Sequence, residues 1–212
     1  FHRLAWRVFG ETGGSTLPVL EETGKSLVVQ RVIDRHQKKL KVLGRALSGR
    51  GAAAQMKSLV SELLQYGVQP EDLEDWIRGQ KESLLSRQME DIEMLYRAFR
   101  EYLENNFLPK EEVPDILCRV IPRSPLIRGS VIWFDGFTGF TPLQYRVLRE
   151  LLIYAEQVTV SVTIDPDEDL FRSGNPHELF YMSREMMRRC GRLADETRTP
   201  VLPLRTASAG PE

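Results

Sequence analysis

Leu85, Met89, Ile92, Tyr96, Phe99 and Leu103 recur at alternating steps of four and three residues. That spacing sets all six side chains on one face of a helix and leaves charged residues on the others. It predicts one long amphipathic helix over 81–104 with an apolar stripe that needs a partner. The stripe reads as core rather than as a cofactor-binding face, because nothing in it but the Tyr hydroxyl can bond to a polar ligand.

The segments before it carry the same period. Apolar residues at 1, 4, 5, 8 and 9 predict a first helix, stopped by Gly13 and Gly14. A second helix is expected over 21–43, after a loop containing Pro18. Three glycines mark 44–51 as a turn region. Met56, Leu59, Val60, Leu63 and Leu64 predict a helix over 52–66, closed by Gly67. Pro70-Glu71-Asp72 opens the next, with acidic residues where a helix N-terminus favours them. Residues 35–120 therefore read as an all-helical unit.

The pattern changes after Pro125. Val131-Ile132-Trp133-Phe134 is a short unbroken apolar run, expected as a buried strand. A helix is predicted over 141–154, with Thr141 as its cap and Pro142 in its first turn. A β-branched second strand is expected over 158–164, a helix over 176–193 and a third strand over 201–204. The order β-α-β-α-β implies parallel strands covered by helices. The expected fold class is thus α/β: 1–34 and 121–212 form a parallel layer, and 35–120 is an all-helical insertion.

Composition narrows function only slightly. A chain of 212 residues with a formal net charge of -1 gives no bulk attraction to nucleic acid, so any such site must come from local clustering. No apolar run approaches the ~18 residues of a membrane span. Cys118 and Cys190 are too few for a thiolate metal site or a disulfide framework, and free thiols in a reducing cytoplasm are expected. The chain starts at Phe1 inside an amphipathic run and finishes in a polar stretch, so it reads as a segment of a longer protein.

Four groups of residues could carry chemistry. Gly24-Lys25-Ser26 has the tail of a phosphate-binding loop, but Val19 stands where the loop needs a glycine and no strand leads in. Asp135 ends the first predicted strand, where α/β proteins often hold a cation or ligand; bracing the next helix is the other reading. Asp165-Pro166-Asp167-Glu168-Asp169 is either a cation site or a solvated loop. Seven Lys or Arg residues (31, 35, 38, 39, 41, 45 and 50) face a single acid, Asp34, over 31–50. This is either a phosphate-contacting face or the wet side of a helix.

Phe1-His2-Arg3-Leu4-Ala5, the block Asp135-Gly136-Phe137-Thr138-Gly139-Phe140-Thr141-Pro142-Leu143-Gln144 and the helical stretch between them resemble the AddB (RexB) family. These are the B subunits of the bacterial ATP-dependent helicase/deoxyribonuclease AddAB. The resemblance implies a RecA-like layer of the P-loop NTPase, UvrD-type superfamily 1 kind, with the helices as its inserted subdomain. It places Phe1 and His2 on a motif lying near single-stranded DNA in active helicases. It puts Asp135 on the Asp of the Asp-Glu motif, with Gly136 replacing the Glu that orients water. Asp165 falls on the next motif, where Glu168 stands in place of a phosphate-sensing Gln.

The resemblance implies a segment with no catalytic residues and no metal or cofactor of its own. Asp135, Gly136, Asp165 and Glu168 would be the remnant of a nucleotide and Mg²⁺ site. Phe1, His2, Lys38, Lys39 and Lys41 are the candidates for touching DNA, either single-stranded or a duplex end. An AddA-like subunit is the expected partner, ATP, Mg²⁺ and an iron-sulfur cluster are expected elsewhere in the parent, and the cytoplasm is the expected location. The expected role is DNA handling and scaffolding in end resection. Two other readings stay open: a piece of an active motor, and a pure protein-interaction module.

Overall fold

The computed structural model describes residues 1–49, 51–165, 174–175 and 177–203. The helices are α1 (His2–Thr12), α2 (Glu22–His36), α3 (Ala52–Tyr66), α4 (Pro70–Arg78), α5 (Leu84–Leu103), α6 (Val113–Val120), α7 (Pro125–Arg128), α8 (Pro142–Tyr154) and α9 (Tyr181–Thr197). The strands are β1 (Val19–Leu20), β2 (Leu108–Pro109), β3 (Val131–Phe134) and β4 (Gln157–Val160). Among the described residues they form two parallel pairs, β1 with β2 and β3 with β4. The fold is thus mixed, mostly helical, with small parallel sheets.

The chain divides into two compact units, one of Phe1, 3–13 and 117–212, the other of His2 and 14–116. Periodicity alone places these boundaries at 34 and 120, whereas α2 packs on α3 and α5 within the helical unit.

The helical unit is built on α5. Leu95, Tyr96, Phe99 and Leu103 are buried against Val29 and Ile33 of α2 and Val60 and Leu64 of α3 in one apolar cluster. The predicted stripe holds at its C-terminal end and fails at its start, where Leu85 is 57% exposed. Ser83 caps the helix by accepting from the Ser86 N–H at 3.1 Å. Gly67 ends α3 at φ 72, a left-handed conformation only glycine takes without cost, and its N–H reaches the Leu63 and Leu64 carbonyls. Tyr96 donates its hydroxyl to the Val68 carbonyl at 2.7 Å. Burial pushes that phenol up to about 12.

The second predicted helix stops at His36 rather than running to 43. The cause lies fifty residues away. Asp91, fully buried on α5, accepts the backbone N–H groups of Lys41, Val42 and Leu43, each at 2.8 Å. A continuing helix would have sent those donors to the carbonyls one turn back. A carboxylate accepting three backbone donors outcompetes them and fixes the turn.

Lys25 is the second buried charge. Its ammonium is fully enclosed and meets Glu22 at 3.2 Å, the Ser61 hydroxyl at 2.9 Å and the Glu111 carboxylate. This pair ties α2 and α3 to the turn that follows β2.

In the other unit, Phe134 pairs with Val160 in register, so β4 ends at Val160 with its partner instead of reaching 164. The expectation of a buried strand is corrected: Val131 is 51% and Trp133 is 70% exposed, because a two-stranded sheet leaves one face uncovered in this chain. Val201, Leu202 and Pro203 form no strand. Pro200 and Pro203 remove two ladder donors there, and Leu204 lies outside the described residues. The helix expected from 176 begins at Tyr181. Glu11 of α1 bonds the buried Ser124 hydroxyl, which in turn accepts the Ile127 N–H at 3.2 Å, holding α1 to the start of α7.

Replacing Lys25 with Met strands Glu111 and is expected to cost about 3–5 kcal/mol in urea denaturation, while adding Glu111→Leu regains most of it. A Lys25→Met protein as stable as the parent contradicts the role given to the pair. Asp91→Ala, which orphans three donors, is expected to cost about 2–3 kcal/mol. It should also speed tryptic cleavage after Lys41 and Arg45; cleavage at an unchanged rate would show that another contact holds the turn.

Candidate functional site

The C-terminal end of β3 carries the residues with the clearest chemical potential. Asp135 leaves the strand exposed, and its carboxylate accepts from the Ser161 hydroxyl. Ser161 is itself placed by the ladder, since its N–H donates to the Phe134 carbonyl at 2.9 Å. Asp135 therefore does not cap the next helix. Thr141 does so, accepting from the Gln144 N–H at 3.3 Å while Gln144 returns the bond to the Thr141 N–H at 2.9 Å.

Gly136 follows at φ 73, and a Cβ added there would meet nothing within 4 Å. Glycine is required by the backbone conformation rather than by crowding. A Glu at this position would be strained as well as absent from the sequence.

Around this turn the aromatic rings form one cluster. Phe1 lies 5.4 Å from Phe134, 6.0 Å from Phe137 and 6.1 Å from Phe140, and Phe137 lies 5.0 Å from Phe140. Such ring pairs contribute about 0.5–1.5 kcal/mol each beyond their burial. They give the Gly-Phe-Thr-Gly-Phe block a structural reason: two phenylalanines turn back on the strand end while Gly136 makes the bend. Tyr145 extends the cluster from α8, 5.4 Å from Phe140, and the Arg189 guanidinium stands 4.1 Å above the Tyr145 ring. Burial pushes the Tyr145 phenol up to about 12 and the Cys190 thiol up to about 11.

The other sequence candidates are dispersed. Asp165 is exposed beyond β4, and Glu168 lies outside the described residues with its acidic neighbours. Among the described residues no three His, Cys, Asp or Glu side chains converge to hold a metal ion. The two cysteines are free thiols. Gly24-Lys25-Ser26 lies inside α2, with Lys25 committed to Glu111, so it is no phosphate loop.

The Phe1 ring is taken up by the aromatic cluster. Burial, with the Lys110 ammonium acting in the same direction, lowers the His2 imidazole below its ordinary value. At neutral pH it offers a phosphate a hydrogen bond but little charge.

Lys38 and Lys39 are exposed on a 3₁₀ turn after α2, and Lys41 meets Glu90 at 2.5 Å. Sequence reasoning missed a cleft between α2 and α5, lined by Arg31, Arg35, His36 and Tyr102. The i, i+4 spacing of Arg31 and Arg35 signals one face. Nothing local in the sequence brings Tyr102 to it.

A parallel β-α-β unit with a carboxylate at its strand end is an arrangement used by ligand-binding α/β proteins. The chain matches the family described as ADDB, N-terminal, over residues 1–210, and it belongs to that family. It is 38% identical over 204 residues to the ATP-dependent helicase/deoxyribonuclease B subunit of Lachnoclostridium phytofermentans, covering 96% of this chain and 18% of that protein. The corresponding protein of Moorella thermoacetica is 35% identical over 199 residues (92% and 17%). That of Bacillus subtilis is 34% identical over 185 residues (84% and 16%). The chain therefore spans under a fifth of the length of these relatives. No helix among the described residues is long and apolar enough to cross a membrane.

A thiol raised to about 11 forms thiolate only at high pH, so Cys190 should alkylate at pH 8 roughly a hundredfold more slowly than an ordinary cysteine. Its rate should climb steeply between pH 9 and 11. Reaction at the ordinary rate at pH 8 would contradict its burial beside Tyr145 and Arg189.

Proposed function

We propose that this chain is a non-catalytic, DNA-handling and scaffolding segment of the B subunit of an ATP-dependent helicase/deoxyribonuclease. It would work with an A subunit in resecting double-strand breaks for recombinational repair. The strand unit is read as part of a RecA-like layer and the helical unit as its inserted subdomain. In support stand the parallel β3-α8-β4 order and the carboxylate at the end of β3.

One observation carries the non-catalytic reading. Asp135 is engaged by Ser161, and the next residue is a glycine in a left-handed turn. A motor needs a second carboxylate there to orient water, and a side chain at that φ is disfavoured. Nucleotide, Mg²⁺ and any iron-sulfur cluster are assigned to the remainder of the parent. Contact with DNA is assigned to uncompensated basic residues, Lys38 and Lys39 among them, rather than to net charge. Lys41, Phe1 and His2 are weaker contributors, since each is already engaged or poorly charged.

The 212-residue chain with Mg²⁺ and ATP is expected to show no turnover above background, with or without single-stranded DNA. Turnover abolished by Asp135→Ala would overturn the non-catalytic reading. Single-stranded DNA should bind, with log K falling by about 0.7 per phosphate contact against log salt. No binding at low salt would overturn the DNA-handling reading for this segment.

A further inference from the structure

The positive charge of the helical unit is compensated unevenly. Arg78, Arg87, Arg97 and Arg100 each meet a carboxylate of their own unit. Lys25, Lys41 and Lys57 do the same. Arg31, Arg35, Lys38 and Lys39 have no ion pair among the described residues; Arg45, Lys81 and Lys110 of this unit also have none, but stand apart in the chain. Arg31, Arg35, Lys38 and Lys39 fall together on the last two turns of α2 and the 3₁₀ turn that follows it. Asp34, the acid between them in sequence, accepts the Gln30 side-chain amide at 2.8 Å.

Arg31, Arg35 and His36 from α2 line a cleft of about 270 Å³ with Ala98, Glu101 and Tyr102 from α5, and Lys38 and Lys39 follow on the 3₁₀ turn that continues from α2. The Arg31 guanidinium lies 5.6 Å from the centre of the Tyr102 ring. Arg31 and Arg35 are exposed, and Tyr102 is half-buried. His36 Nδ1 lies 2.9 Å from the Val32 carbonyl, which holds the ring in place.

Guanidinium groups without ion pairs on one wall, exposed ammonium groups on the turn that follows it, and an aromatic ring with a stacked Arg in the cleft are the two parts of a single-strand site. The charges track phosphates, and planar groups take a base face. An acidic peptide would be drawn by the charges alone and would have no use for the ring.

We infer that the cleft between α2 and α5 is a single-stranded nucleic-acid site, in which Tyr102 and Arg31 stack on a base while Arg35, Lys38 and Lys39 contact successive phosphates. This rests on the DNA-handling reading and adds to it the surface, the strand form and the stacking residue.

The test uses the 212-residue chain and a fluorescent oligothymidylate carrying one 5-iododeoxyuridine, titrated at several salt concentrations. Tyr102→Ala should weaken binding about tenfold, the effect of one lost stacking contact, and Tyr102→Phe should leave it unchanged. Arg31→Gln with Arg35→Gln should flatten the salt slope by about 0.7, the one phosphate contact that Arg35 supplies, and weaken binding further through the lost Arg31 stack. Both arginines are exposed, so this variant reports even if Tyr102→Ala unfolds part of α5. Irradiation should cross-link the oligonucleotide to α5 at Tyr102. A wild-type chain that binds while all variants bind equally well overturns the cleft and leaves the DNA-handling reading standing. A wild-type chain that fails to bind overturns both. Displacement by polyglutamate as effective as by unlabelled oligothymidylate, with Tyr102→Ala silent, overturns it in favour of an acidic protein partner.

Discussion

Asp91 organises the helical unit from a position where burying a carboxylate is costly. That cost is offset because both oxygens are used, by three backbone donors that point at it from the turn over 41–43. The same bonds end α2 early and turn the chain back toward α3. They also set the end of α2, and with it Arg35, Lys38 and Lys39, beside α5. Were the helix to run on, Lys38 and Lys39 would sit on its flank instead of on a turn, while Arg31 and Arg35 would still line the cleft. Lys25 and Glu111 act in a parallel way at the other end of α2, joining α2 and α3 to the turn after β2.

In the strand unit the corresponding constraint is aromatic rather than ionic. Four phenylalanine rings meet where β3 ends, and this is also where an α/β protein would do its chemistry. The turn has been given over to packing: Gly136 bends it, Phe137 and Phe140 fold back on it, and Ser161 takes the one carboxylate. A catalytic turn would have to leave that carboxylate available and add another. This is the geometry on which the proposed non-catalytic reading rests.

Much of this was legible in local spacing. The helices over 52–66 and 142–154, the Thr141 cap, the Gly67 stop and the parallel strand pair follow from periodicity and from single-residue preferences. What periodicity could not show is long-range. The end of α2 depends on Asp91, which a stripe analysis of α5 treats as one more polar residue. The open face of β3 depends on how many strands cover it, and Val131 and Trp133 look buried in any apolar run. At the candidate sites, Asp135 and the basic run were visible as residue types. Their states were not: Ser161 and Glu90 are partners chosen by the fold, and Tyr102 enters the basic cleft only because α2 packs on α5.

That this segment handles DNA through the basic end of α2 is tested most directly by lysine acetylation footprinting of the 212-residue chain, free and saturated with single-stranded oligonucleotide. Lys38 and Lys39 are expected to become protected while Lys57 and Lys81 keep their reactivity. Saturating oligonucleotide that leaves Lys38 and Lys39 as reactive as in the free chain would contradict DNA handling by this surface.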